Sequence, residues 1–246
     1  MPYRRLPNTD AARLRALKAA FIKGKELPPF NLAYSQSTFQ KVQSFLPQFE
    51  KVLTENKFAY DNQVKKNRDY QVLVRKARLY ISHFIQVLNL AIIRGDIPSN
   101  IRAIYGLDAD EKKLPQLTTE AEIIEWGEKI IKGEAQRCAK GGAPMTNPTV
   151  AVVKVRYENF FDAYQSQKIV RKAVERTSHE LIEIRKTADD LIQHIWNEVE
   201  EKFADLPDSQ RREAASAYGL VYVFRSNELS NIDILDKATL SNLSTI

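Results

Sequence analysis

Asp190, His194 and Glu198 have the spacing of a metal site: each is four residues from the next, so in a helix they share one face. Carboxylate and imidazole placed this way can ligate one ion, and helical bundles hold such ions between facing helices. His179 and Glu183 form a second pair of the same kind. Di-iron bundles, however, require Glu-x-x-His from each of two helices, and that motif does not occur here. The same side chains equally suit an exposed helix face supported by i,i+4 pairs. The expectation is no metal and no cofactor.

Cys138 is the sole cysteine, which rules out an intramolecular disulfide and a cysteine-based zinc site. Arg137 and Lys140 lie beside it and would favour a thiolate. A nucleophile also needs a base. The three histidines, His83, His179 and His194, all fall in long helical stretches, and nothing in the sequence brings one to Cys138. The run Ala139-Lys140-Gly141-Gly142 lacks the spacing of a phosphate-binding loop and reads as a helix stop. No catalytic residue is assigned, and a non-enzymatic protein is expected.

Charge points to a further chemistry. The net charge of +6 is held entirely by the first 25 residues, where Arg4, Arg5, Arg13, Arg15, Lys18, Lys23 and Lys25 face a single acid, Asp10. The first six are candidate contacts for an anion or for nucleic-acid phosphates. Tyr3 is the only aromatic among the first arginines, so no base-stacking platform is evident. The segment also suits a solvated, solubilising helix face.

The elements that must position these residues are helices. Glycine is scarce, at eight residues, which disfavours a many-stranded fold. The spacing predicts a short helix with Leu14, Leu17 and Phe21 on one face, capped by Asn8 or Thr9 and ended by Gly24. A second has Ile123, Trp126 and Ile130 on one face, with Thr118 or Thr119 as cap and Gly133 near its end. Long helical stretches follow each, over about 37–94 and 148–203, with Pro47 marking a kink or a helix start. Their middles, Asp61–Asp69 and Val174–Glu180, are poor in apolar residues. Two arrangements fit. Each stretch is either a hairpin, with Asn67 or Thr177 capping its second helix, or one continuous helix of roughly 85 Å.

Much of this pattern occurs twice. Phe21-Ile22-Lys23-Gly24 returns as Ile130-Ile131-Lys132-Gly133, and Tyr105-Gly106-Leu107 as Tyr218-Gly219-Leu220. Between them apolar positions match at an offset of 111: Val42 with Val153, Phe49 with Phe160, Ala77 with Ala188, Ile81 with Ile192. A fixed period of this kind marks repeated architecture. The expectation is an all-α fold of two tandem repeats, 1–112 and 113–225, sharing one core in a long antiparallel bundle with pseudo-two-fold symmetry. Residues 226–246 are expected to form a loosely ordered tail. The recurring Tyr-Gly-Leu reads as a helix end whose Tyr and Leu tuck into the core.

The opening run Met1-Pro2-Tyr3-Arg4-Arg5-Leu6-Pro7-Asn8-Thr9-Asp10 resembles the start of an uncharacterised family of bacterial all-helical proteins, and the likeness extends more weakly to Tyr218-Gly219-Leu220. The resemblance implies a helical, bacterial protein and transfers no functional residue. The most apolar window, Tyr80–Ile93, contains His83, Gln86 and Asn89 and is too short to span a bilayer. A cytoplasmic protein with no membrane partner is expected. Its extended helical surface points to a scaffold or protein-interaction module, binding itself or another protein. The alternatives are a nucleic-acid-associated protein using its basic N-terminal helix, and a bundle enzyme or a metal- or ligand-binding protein.

Overall fold

Two threonines start the two short helices. The Thr9 hydroxyl accepts the Ala12 N–H at 3.2 Å and opens α1 (Asp10–Glu26). The Thr119 hydroxyl accepts from Glu122, whose carboxylate returns to the Thr119 N–H at 2.8 Å. This complete capping box opens α3 (Glu120–Ala139). Between them lie α2 (Gln36–Ile93) and a 3-10 helix (Ser99–Tyr105); after them come α4 (Val150–Lys202) and α5 (Asp208–Ser216). The two-residue strands β1 (Tyr3–Arg4) and β2 (Tyr222–Val223) pair antiparallel, Tyr3 opposite Val223. The chain is therefore predominantly helical. This computed structural model describes residues 2–108 and 113–224, and the tail at 226–246 lies outside the described residues.

The long helices are continuous. α2 runs for 58 residues and α4 for 53, so the hairpin arrangement is not adopted. Thr177, a candidate cap in that arrangement, is buried inside α4, where its hydroxyl accepts the Asn56 side-chain amide at 3.3 Å. Pro47 does not start α2 but lies within it. Proline removes the N–H that the Gln43 carbonyl would receive. Gln43 and Pro47 are both exposed, so water can replace the lost bond.

Packing divides the chain into two compact units. One takes the residues up to Lys57 together with those from Arg176 on; the other is Phe58–Glu175. Each unit thus draws on both halves of the sequence and takes one end of α2 and one end of α4. In the first unit Leu17 of α1, Val42 and Phe49 of α2, and Ile192, Ile195, Trp196 and Val199 of α4 are almost wholly buried, with Tyr34 and Tyr218 crossing edge to face. In the second, Ile123 and Ile130 of α3 pack with Ile81, Phe84, Ile85 and Leu88 of α2 and Phe160 of α4. Full burial of each such side chain contributes about 1.5–3 kcal/mol. From Leu53 to Asp69 α2 has no buried residue; its buried positions fall at Val52 and before and from Tyr70 on.

Gly24 does not end its helix as expected, and Gly133, expected near the end of its own, lies inside it. α1 continues to Glu26 and α3 to Ala139. Both glycines instead admit a neighbour. A Cβ on Gly24 would sit 2.2 Å from the Phe39 ring, and one on Gly133 would sit 2.6 Å from the Tyr105 ring and 3.0 Å from the Ile104 carbonyl oxygen. Alanine gains about 1 kcal/mol over glycine from helix propensity alone. At Gly133 the sign should reverse, because a backbone carbonyl cannot step aside: Gly133→Ala is expected to lower stability by about 1–3 kcal/mol in denaturant unfolding. A stabilised variant would show that the 3-10 helix does not pack this closely on α3.

Candidate functional site

Most of the basic N-terminal segment is already occupied. Arg13 donates twice to Asp189, at 2.7 and 2.9 Å, and Arg185 donates twice to Asp10, at 2.7 and 2.6 Å. These two forked pairs tie α1 to α4. The Arg185 hydrogen bond holds the Asp10 carboxyl below its usual range, against the opposing effect of partial burial. Arg4 lies over the Trp196 ring and donates to Asn197 and Glu200, each at 2.8 Å. Lys18 meets Glu50 at 2.7 Å, and Lys23 meets Glu26 at 2.8 Å. Of the six candidate anion contacts, four therefore carry carboxylate partners. Arg5 and Arg15 are exposed, and among the described residues neither side chain has a hydrogen bond or ion pair.

Those two arginines border one cleft of about 510 Å³ in the first unit. The N-terminal arm forms one wall: the Arg5 N–H donates to the Val221 carbonyl at 2.8 Å, continuing the β1–β2 pairing. Leu6, Pro7, Ala12, Ala16, Ala19 and Val221 supply apolar lining, with Trp196 behind them. Gly219 closes one end with φ +89°, and a Cβ there would lie 3.0 Å from the Ala16 Cα. Only glycine takes up that backbone conformation at that distance without strain. Among the described residues no acid lines the cleft.

The candidate metal residues are used otherwise. Glu198 serves the start of α2, accepting the Ser35 N–H at 2.7 Å and the Thr38 hydroxyl at 3.1 Å. His194 reaches the same carboxylate at 3.1 Å, and Asp190 stays exposed beside a shallow hollow containing Lys41 and Phe45. Asp190, His194 and Glu198 thus form no ligand set, and among the described residues no group of three His, Cys, Asp or Glu is placed to hold a metal ion. Cys138 lies 3.8 Å from Glu134, and burial together with that carboxylate pushes its thiol pKa up, away from a nucleophile.

Glu134 centres a polar cluster that the sequence did not disclose. Its carboxylate is fully buried on α3. It accepts two bonds from Arg137, at 2.8 and 2.9 Å, the Met145 N–H at 2.8 Å, and the Tyr105 hydroxyl. Arg137 also donates to the Ala143 carbonyl at 2.6 Å, so the cluster fastens the Gly141–Pro148 linker to α3. Glu134 and Arg137 stand at i,i+3, the one signal visible in the sequence, and it looks the same on a solvated face. Every acceptor position of the carboxylate is filled, which marks a structural device rather than a reactive group.

Breaking this pair leaves a buried charge uncompensated, so Glu134→Ala is expected to cost about 3–5 kcal/mol. The double change Glu134→Leu with Arg137→Met should cost less than the single one in the same urea titration. Burial opposes ionisation of Glu134, but the Arg137, Met145 and Tyr105 bonds outweigh it and hold its pKa below 4.5. Stability from this depressed pKa is present above about pH 4.5 and is lost as pH falls through the lower folded value. Glu134→Gln should therefore flatten the acid limb of a stability–pH curve; an unchanged limb would place the acid sensitivity elsewhere. No protein-family model, curated protein or solved structure matches this chain.

Proposed function

We propose that the protein is a non-enzymatic helical scaffold or protein-interaction module, engaging a partner protein or a second copy of itself along the outer face of α2. One observation carries this reading. Phe58, Val72, Leu79 and Ile93 are separated by multiples of seven residues and are 73%, 38%, 61% and 59% exposed, with Leu90 beside them at 51%. They lie opposite the face that buries Val74, Ala77, Ile81, Phe84 and Leu88. Lys65 and Gln86 complete the heptad positions. An apolar stripe with heptad spacing is the surface by which one helix docks against another.

The tandem origin of the halves belongs to the same reading. Residues at the offset of 111 have the same burial: Val42 and Val153, Phe49 and Phe160, Ala77 and Ala188, Ile81 and Ile192 are all at most 1% exposed. Tyr105 with Leu107 and Tyr218 with Leu220 are likewise buried around glycines of positive φ. A copied fold that lines two cores in the same way supports a scaffold. So does the filled Glu134 carboxylate. The setting proposed is a bacterial cytoplasm; no helix among the described residues is long and apolar enough to cross a membrane. Of the six candidate nucleic-acid contacts, Arg5 and Arg15 are the two without a carboxylate partner among the described residues, too few to hold a duplex at physiological salt.

The test uses Leu79→Glu with Ile93→Glu in the full chain. Both positions are exposed, so the melting temperature should stay within about 2 °C of the parent. Proteins captured from the native cell by the parent, or its concentration-dependent self-association in sedimentation, should be lost in the variant. Unchanged capture and unchanged sedimentation would end the proposal, and nucleic acid co-purifying in place of protein would favour the alternative.

A further inference from the structure

We propose that the Arg5–Arg15 cleft binds a small organic anion, a molecule with one carboxylate or phosphate group and an apolar body. At about 510 Å³ the cleft lies within the size range of small-molecule sites. Its lining combines two guanidinium groups with an apolar surface from Leu6, Ala12, Ala16 and Val221, and among the described residues contains no acid. The contrast with neighbouring residues is informative. Arg4, Arg13, Lys18 and Lys23, outside the cleft lining, are each held by a carboxylate of the chain and Lys25 lies over the Phe21 ring, whereas Arg5 and Arg15, which line it, have no partner of either kind among the described residues. Two positive charges bordering one hollow, with no acid among the described residues to meet them, leave a site complementary to an anion.

The chemistry of the site separates a small anion from nucleic acid. Two unpaired arginines neutralise two phosphates, a salt-dependent contact too weak to hold a duplex. Trp196, the one aromatic ring in the lining, is 1% exposed, so no base can stack on it. An acyl or alkyl chain needs only the apolar lining that Leu6, the three alanines and Val221 supply. Guanidinium forks pair well with either carboxylate or phosphate, so the shared requirement is one anionic head.

Three probes divide the requirement: octanoate carries head and chain, octanol only the chain, inorganic phosphate only the head. Trp196 reports occupancy once Trp126→Phe makes it the sole tryptophan, and calorimetry on the unsubstituted chain gives an independent reading. Octanoate is expected to saturate, binding at least about ten-fold more tightly than octanol or phosphate, because a hydrogen bond to a charged group is worth roughly that factor. Arg5→Ala and Arg15→Ala, both at exposed positions, should each weaken octanoate about ten-fold and leave octanol unchanged. The proposal is overturned if octanoate shows no saturable response up to about 10 mM. It is also overturned if octanol binds as well as octanoate, if phosphate alone binds as well, or if the double arginine variant binds octanoate like the parent. Displacement of octanoate by duplex DNA at micromolar concentration and physiological salt would make the cleft a nucleic-acid contact and overturn it too.

Discussion

The structure depends on one constraint: neither α2 nor α4 can bury its apolar face alone. Each carries two apolar stretches separated by a polar middle, and each stretch needs a short helix to complete it. α1 covers Val42, Phe49 and Ile192 in the first unit, and α3 covers Ile81, Phe84 and Phe160 in the second. The requirement for close cover explains the helical glycines. Gly24 and Gly133 weaken the helices that contain them, yet they let the Phe39 and Tyr105 rings lie against the backbone. Their value is read in contact distance rather than in helix propensity.

The two units satisfy their buried polar groups by different means. In the second, Glu134, Arg137 and Tyr105 form a closed ionic cluster that fixes the linker before α4. In the first, the Tyr34 hydroxyl donates to the Ala20 carbonyl at 2.7 Å and the Tyr218 hydroxyl accepts the Ala33 N–H, with no buried charge. Charge in the first unit stays at the rim, in the Arg13–Asp189 and Arg185–Asp10 forks. Buried ion pairs contribute little net stability, but they penalise every arrangement that leaves one partner alone. The cluster in the second unit is therefore a device for fixing one linker path.

Local physics was legible in the sequence and long-range pairing was not. Thr9 and Thr119 could be read as caps because a cap acts over three residues. The helical class could be read from apolar spacing. Continuity of α2 and α4 could not, because Thr177 has the residue type of a cap, and its pairing with Asn56, 121 positions away, is not visible locally. The basic segment looked like a surface for anions because its partners Asp189, Glu200 and Glu50 are distant in the chain. Composition reports how many charges a segment holds; only the fold decides which of them are spent on each other, and here it leaves Arg5, Arg15 and Lys25 without a carboxylate partner among the described residues.

The pairing of Tyr3 with Val223 fixes an order of assembly. Phe58–Glu175 is one unbroken piece of chain, so every contact within it is available once that stretch has been synthesised. The other unit joins the first 57 residues to those after 175, and its strand pair closes only when residue 223 has been made. During N-to-C synthesis α1, with Leu17 and Ala20 on its inner face, waits for α4 to arrive. α1 is made before the Phe58–Glu175 unit and enclosed after it, and its interval of exposure is set by the rate of translation rather than by the rate of helix formation.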